Sequence, residues 1–289
     1  MKIAIMTDVN AGLDYIGYDP QIPTLRSSVN FGEEILVDGI DIKADEFYQR
    51  LKLITSPDQI PSTSAPAIGD IYDQIDLLIS QGYTDIIHYP ISFELSATGP
   101  TVQNIASEYE GKINVHVFNT KAAAFIQGYM ALEAKKMADN GHTVDEILSR
   151  SEYLRDHFCG YFVVDDLTYL VKNGRLSGAA GFIGGILKIK PVLELNKDGK
   201  IVTKEKIKTH RKAVDRAIEL ALNFIEGHKN VIVHCHHALR LDGAEQMKER
   251  IMAQRPDLPD IEIHFITPAV GAHIGAGVLG VSAFILDEN

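Results

Sequence analysis

The chain has 289 residues with 39 acidic against 28 basic side chains, and its formal net charge of −11 disfavours nonspecific attraction to nucleic acid or anionic lipid surfaces. Cys159 and Cys235 are the only cysteines; far apart and outside any CxxC pair, they suggest neither a disulfide framework nor a zinc ribbon. The length allows a sizeable core, divided into two domains of ordinary size.

Ile3–Met6 is a short apolar run closed by Thr7-Asp8, a pattern that predicts a buried strand opening into a polar loop. The run turns polar too soon for a signal peptide, so a cytoplasmic protein is expected. Pro61-Ser-Thr-Ser-Ala-Pro66 precedes an apolar stripe of Ile68, Ile71, Ile75, Leu78 and Ile79 that predicts a helix. A hydroxyl there would cap the helix, and its free N–H groups could face an anion. Asp85–Ile91 predicts a second strand, and Ser92–Pro100 after it is again rich in hydroxyls, Ser96 among them. Ile113–Phe118 predicts a third strand and Lys121–Asp139 a helix. Alternating strands and helices imply an α/β protein with parallel pairing in at least its first half, where ligands usually meet the loops after strand C-termini.

Gly160–Val164 predicts another strand, and we place the domain change there, giving 1–160 and 161–289. Asn173-Gly-Arg-Leu-Ser-Gly178 sets a permanent cation, Arg175, beside two glycines, either for a two-pronged contact with carboxylate or phosphate or for a surface ion pair. Ala179–Leu187 is apolar and glycine-rich, suited to lining a cavity. Pro191–Leu195 and Lys200–Thr209, separated by Asn196-Lys-Asp-Gly199, predict a hairpin and a mixed sheet in the second domain. His210–Glu226 predicts a helix, with Asn230–His236 and Ile261–Ile266 as further strands. His234-Cys-His-His237 is the obvious metal candidate. On a strand, however, His234 and His236 face away from Cys235, and with no second ligand cluster recognisable in sequence we assign no metal.

Phe265 to Leu286 is long enough to span a bilayer, but Pro268, four glycines and the lack of flanking basic clusters argue against a membrane helix. Gly275-Ala-Gly-Val-Leu-Gly280 fits GxGxxG, yet too little chain follows for a dinucleotide fold. His273 is the strongly polar side chain in this run and the first candidate for holding an anionic group. With no GxSxG elbow, a Ser96–His273 dyad in a small-acyl hydrolase stands as the alternative reading.

Met6-Thr-Asp8, Ile22-Pro-Thr-Leu25, Phe31–Ile42, Thr63-Ser-Ala-Pro66, Leu95-Ser96, Asn173–Ser177 and Gly271–Gly277, in this order along almost the whole chain, resemble the DegV family of bacterial fatty-acid-binding proteins. The resemblance implies a long-chain fatty acid held between two α/β domains, its carboxylate bound by Thr63, Ser96 and His273 with Ser64 nearby. It further implies a non-enzymatic carrier, without cofactor, that presents the carboxylate to a separate ATP-dependent fatty-acid kinase for acyl-phosphate formation. Arg175 would engage the phosphate or that kinase. The chain itself carries no P-loop and no kinase motif set. It departs from the family pattern at Val9, Ala67, Phe93, Ala97 and Ala276; Phe93 and Glu94 would add bulk and charge beside the mouth. Burying about fourteen methylenes at roughly 0.8 kcal/mol each offers on the order of 11 kcal/mol before association costs, so the tail can supply most of the affinity.

Overall fold

The computed structural model describes residues 2–179 and 189–287; all but the first residue of the expected cavity lining Ala179–Leu187 lies outside them. The protein is α/β, with a parallel sheet and a mixed sheet. In the first half, β1 (Ile3–Asp8), β2 (Thr24–Leu25), β6 (Asp85–Tyr89) and β7 (Asn114–Val117) form a parallel sheet in the order β2-β1-β6-β7. The apolar alternation of β1 divides its side chains between two layers. Ala4 and Met6 pack on α2 (Ile68–Ser80) and α3 (Thr98–Ala106), while Ile5 packs towards α4 (Phe125–Asp139) and α5 (Val144–Asp156). In α2 the expected stripe buries Ile71, Ile75 and Leu78, whereas Ile68 is exposed. Helix α4 begins four residues later than its periodicity predicts, because Lys121 and Ala124 hold positive φ angles of 52° and 54°.

The second half is built on six strands in the order β10-β9-β8-β13-β11-β12. They are β8 (Phe158–Val163), β9 (Val192–Leu195), β10 (Ile201–Glu205), β11 (Val231–His237), β12 (Glu262–Phe265) and β13 (Leu279–Ile285). The expected hairpin is β9–β10, with Gly199 at φ +83° in its turn. That turn docks on the first half: the Ser92 hydroxyl donates to the Gly199 carbonyl at 2.8 Å. One face of the six-stranded sheet carries Val231, Val233, Cys235, Val281 and Ala283 against α7 (His210–Phe224) and α8 (Leu241–Gln254). The opposite face, with His234, His236 and Phe284, turns towards α4.

The apolar run from Phe265 to Leu286 resolves into a short buried helix, α9 (Pro268–Ile274), and the central strand β13, every residue of which is buried. No helix among the described residues is long and apolar enough to cross a membrane. Gly275 and Gly277 form the turn between α9 and β13, so the GxGxxG match leads from helix to strand, opposite to a dinucleotide fingerprint.

Several elements were not expected from sequence, α5, α8, α9 and β13 among them, and two further ones shape the site. A three-stranded antiparallel sheet, β4 (Glu34–Val37), β3 (Ser28–Phe31) and β5 (Ser62–Ser64), lies in the first half, and α1 (Ala44–Leu51) packs against α9. Gly271 lets α9 approach α1 closely: an added Cβ would lie 2.4 Å from the Tyr48 hydroxyl and 2.7 Å from Phe47 Cε1, both in fully buried rings. Gly271→Ala is therefore expected to destabilise the protein by about 1–3 kcal/mol through overpacking. Thermal unfolding that matches the unsubstituted protein would show that this contact yields freely.

Candidate functional site

Four separate stretches converge on one polar pocket. Thr63 and Ser64 come from β5, Ser96 from the loop after β6, Arg175 from the turn after α6 (Thr168–Lys172), and His273 from the last turn of α9. Asn173 bridges two of these parts, its amide donating to the Pro61 carbonyl at 3.3 Å and to the Ala272 carbonyl at 3.0 Å. Lys172 reinforces the junction through the Pro57 and Ile60 carbonyls. The segment Lys172–Arg175 thus sets β5 and α9 in place and directs a cation between them.

The Thr63 hydroxyl and His273 Nε2 are 2.8 Å apart. Burial, and secondarily the neighbouring Arg175, hold the His273 imidazole down at about 4, so it is neutral at pH 7. Its buried Nδ1 has no hydrogen-bond partner among the described residues, so when Thr63 donates to Nε2, the Nδ1–H remains able to serve a ligand. Arg175 donates through Nε to the Leu95 carbonyl and through Nη1 to the Asn173 carbonyl, and no acidic side chain pairs with it among the described residues. The surface ion-pair reading of Arg175 is therefore corrected: it is a half-buried cation facing a pocket that no described carboxylate lines.

Ser96 has a local partner as well, accepting from the Thr98 N–H at 3.2 Å with its oxygen 3.0 Å from the Thr98 hydroxyl. It makes no hydrogen bond to His273, whose Nε2 is taken by Thr63; the dyad required by the hydrolase alternative is not formed. Ser62–Ser64 is strand, with Ala67 at the N-cap of α2 and no side chain capping it, so the helix-capping role expected for this loop is likewise corrected.

Thr7 and Asp8 do not line the pocket. Asp8 is fully buried and accepts from the Asn10 and Ile91 backbone N–H groups and from Gln127, bracing the loops after β1 and β6. The neighbouring Asn10 lines the pocket instead, as does the buried Ser27. Asn10 could have been anticipated from its place after a strand C-terminus; Ser27 carries no sequence signal. Phe93 packs over Gly99 and Pro90, and Glu94 lies 3.6 Å from Lys200, so neither side chain joins the pocket lining.

Ala123, Ile201, Val270 and Ile274 line both this polar pocket and a second, apolar one. The second runs beneath the six-stranded sheet, where Gly160 and Gly280 contribute no side chain and Ile126, Phe162 and Val278 add apolar walls. Of its fifteen lining residues only Tyr161 and His236 carry a polar side-chain atom, so it can shelter a hydrocarbon but cannot solvate a charge. The two pockets thus lie side by side, one lined by a cation, neutral hydroxyls and an imidazole, the other mainly by aliphatic groups.

The sequence reading found no second ligand cluster beside His234–His237. The parallel register of β11 and β12 supplies one, pairing His234 with Glu262 and His236 with His264.

An α/β protein with a polar pocket beside an apolar one against a mixed sheet is a recognisable class, and the comparisons define it further. A family model described as an uncharacterised protein of the DegV family matches residues 2–286, and the chain belongs to that family. A DegV domain-containing protein of Staphylococcus aureus is 33% identical over 284 residues, covering 97% of this chain and 96% of its own length. The crystal structure of DegV from Bacillus subtilis, titled a fatty acid binding protein, superposes with a TM-score of 0.87 at 30% identity, with 99% of each chain covered. The fold also matches the Streptococcus pneumoniae Fatty Acid Kinase (Fak) B3 protein loaded with linoleic acid, at a TM-score of 0.82 and 18% identity over 99% of this chain and 100% of that one.

Proposed function

We propose that this protein binds a long-chain fatty acid, with the tail in the apolar pocket and the carboxylate at Thr63, Ser96, His273, Ser64 and Arg175. The observation that carries the reading is that a polar pocket lined by no carboxylate among the described residues adjoins an aliphatic one, Ala123, Ile201, Val270 and Ile274 lining both. Fatty-acid binding by the Bacillus subtilis relative supports it. Tail burial provides affinity, while Arg175 and the hydroxyl and imidazole donors offset carboxylate desolvation. The domain change near residue 160 fits the same reading, since the two pockets then lie between an N-terminal and a C-terminal unit.

We further propose that the bound acid is presented to a separate ATP-dependent kinase, which forms the acyl phosphate while this chain acts as a non-enzymatic cytoplasmic carrier without cofactor. The likeness in fold to the pneumococcal kinase-system protein supports this step. Arg175, which lines the polar pocket, would meet the carboxylate and then the incoming phosphate. The test is reconstitution: palmitate-loaded protein, a bacterial fatty-acid kinase and ATP should yield acyl phosphate trapped as the hydroxamate, with no product when either protein is omitted. Loaded protein that supports no turnover with kinases active on other DegV proteins would refute presentation.

Ala123 lines both pockets. Ala123→Phe is expected to abolish uptake of palmitate while leaving the Thr63–His273 contact and the His273 titration in place. Undiminished palmitate binding by this variant would place the tail elsewhere.

A further inference from the structure

On the side of the mixed sheet that faces α4, away from the polar mouth, we propose a transition-metal site: His234, Glu262 and His264 bind one Zn²⁺ ion. One ligand atom from each residue lies within 4.8 Å of the other two. His264 Nε2 and Glu262 Oε2 are 3.3 Å apart, close to the roughly 3.4 Å edge of a tetrahedron with metal–ligand bonds of about 2.0–2.2 Å. Glu262 is exposed, so its carboxylate can move towards the two rings without disturbing the core.

A second observation points to a ligand. His234 Nδ1 and His264 Nε2 are buried without hydrogen-bond partners among the described residues, in side chains of residues only 1% and 6% exposed. Leaving two such nitrogens unsatisfied is costly, and a cation shared with a carboxylate would remove that cost. Burial keeps both rings neutral, the form that coordinates. Their orientation is set before any ion arrives: Phe125 stacks on the His264 ring with centroids 3.3 Å apart, and Tyr129 lies 5.3 Å from that of His234.

Access is also present. Glu262 lines two open clefts, one shared with His234 and the other with His264, both bordered by Tyr18. Two imidazoles and one carboxylate suit Zn²⁺ and its transition-metal neighbours better than Mg²⁺ or Ca²⁺, which prefer all-oxygen shells. Three protein ligands leave a fourth position facing the cleft, open to water or another donor.

The test uses the full chain without an affinity tag, titrated with Zn²⁺ against a chromophoric chelator and with Co²⁺ followed by visible absorption. One ion per chain and the intense d–d bands of four-coordinate Co²⁺ are expected. Glu262→Gln, an exposed change that leaves the core untouched, should weaken binding at least tenfold, and His234→Ala should abolish the Co²⁺ bands in protein whose far-UV circular dichroism is unchanged. Should His234→Ala misfold, the Glu262→Gln result decides alone. No saturable binding, or affinity and spectrum unaltered in Glu262→Gln, overturns the assignment.

Discussion

His273→Ala should weaken fatty-acid binding roughly 10- to 150-fold, the equivalent of losing a hydrogen bond to a charged group worth about 1.5–3 kcal/mol. The imidazole is neutral at pH 7, so on the proposed reading Arg175 would meet the carboxylate's charge while His273 and the hydroxyls would fix its orientation. Arg175→Ala should therefore weaken binding at least as much, and Arg175→Lys should restore it only in part, because a point charge does not replace a planar fork. The same substitution has a readout independent of lipid. Arg175 helps hold the His273 pKa down, so its removal should let the imidazole titrate nearer its ordinary value of 6.5. Binding isotherms with a fluorescent fatty acid and the His273 ring resonances followed by NMR across pH check both arms. Equal affinity in His273→Ala and Arg175→Ala would remove this pair from the head-group site.

Acidification should unfold the protein cooperatively between about pH 6.5 and 4. Seven imidazoles are depressed chiefly by burial, His210 and His237 among them; the five largest shifts take His88 and His234 to about 3, His236 and His273 to about 4, and His264 to about 2. Each contributes stability that is fully present above its unfolded pKa of 6.5 and is lost as pH falls towards the folded value. One proton per group gives about 1.4 kcal/mol per pH unit, hence at most about 7 kcal/mol per unit for the five, against a typical total stability of 5–15 kcal/mol. Asp38 acts in the opposite sense. Burial raises its carboxyl to about 7, so its contribution is complete below 3.8 and lost as pH rises through 7. Since Asp38 accepts from the Ala269 N–H at the start of α9, its ionisation also bears on the helix that carries His273. The histidines outnumber it, so urea midpoints should drop steeply from pH 7 to pH 5. A midpoint constant over that range would contradict the assignment of these rings as neutral.

The parts of this protein legible in sequence were those whose pattern is local. The apolar run Ile3–Met6, the stripe of Ile71, Ile75 and Leu78, and the Asn196–Gly199 turn each report a burial pattern or backbone angle set within a few residues. Strand β5 was not legible: three hydroxyl residues before a proline read as a cap, and only pairing with β3, more than thirty residues earlier, makes them strand. The resemblance to DegV proteins picked out Thr63, Ser96, Arg175 and His273, but their convergence depends on Asn173 joining Pro61 to Ala272 across 112 and 99 residues of sequence separation. Ser27 and the His234–Glu262–His264 cluster were invisible for the same reason. The cluster's neighbours are assigned by the register of β11 and β12, which no short motif encodes, and Ser27 lies in the connection between β2 and β3.

The most direct measurement is mass spectrometry of lipid extracted from the denatured protein after detergent-free purification from bacteria. A long-chain fatty acid near one per chain is expected, falling sharply in Ala123→Phe and His273→Ala. Repeated lipid-free preparations that also fail to take up added palmitate or oleate would contradict a slot built for a hydrocarbon and its acid end.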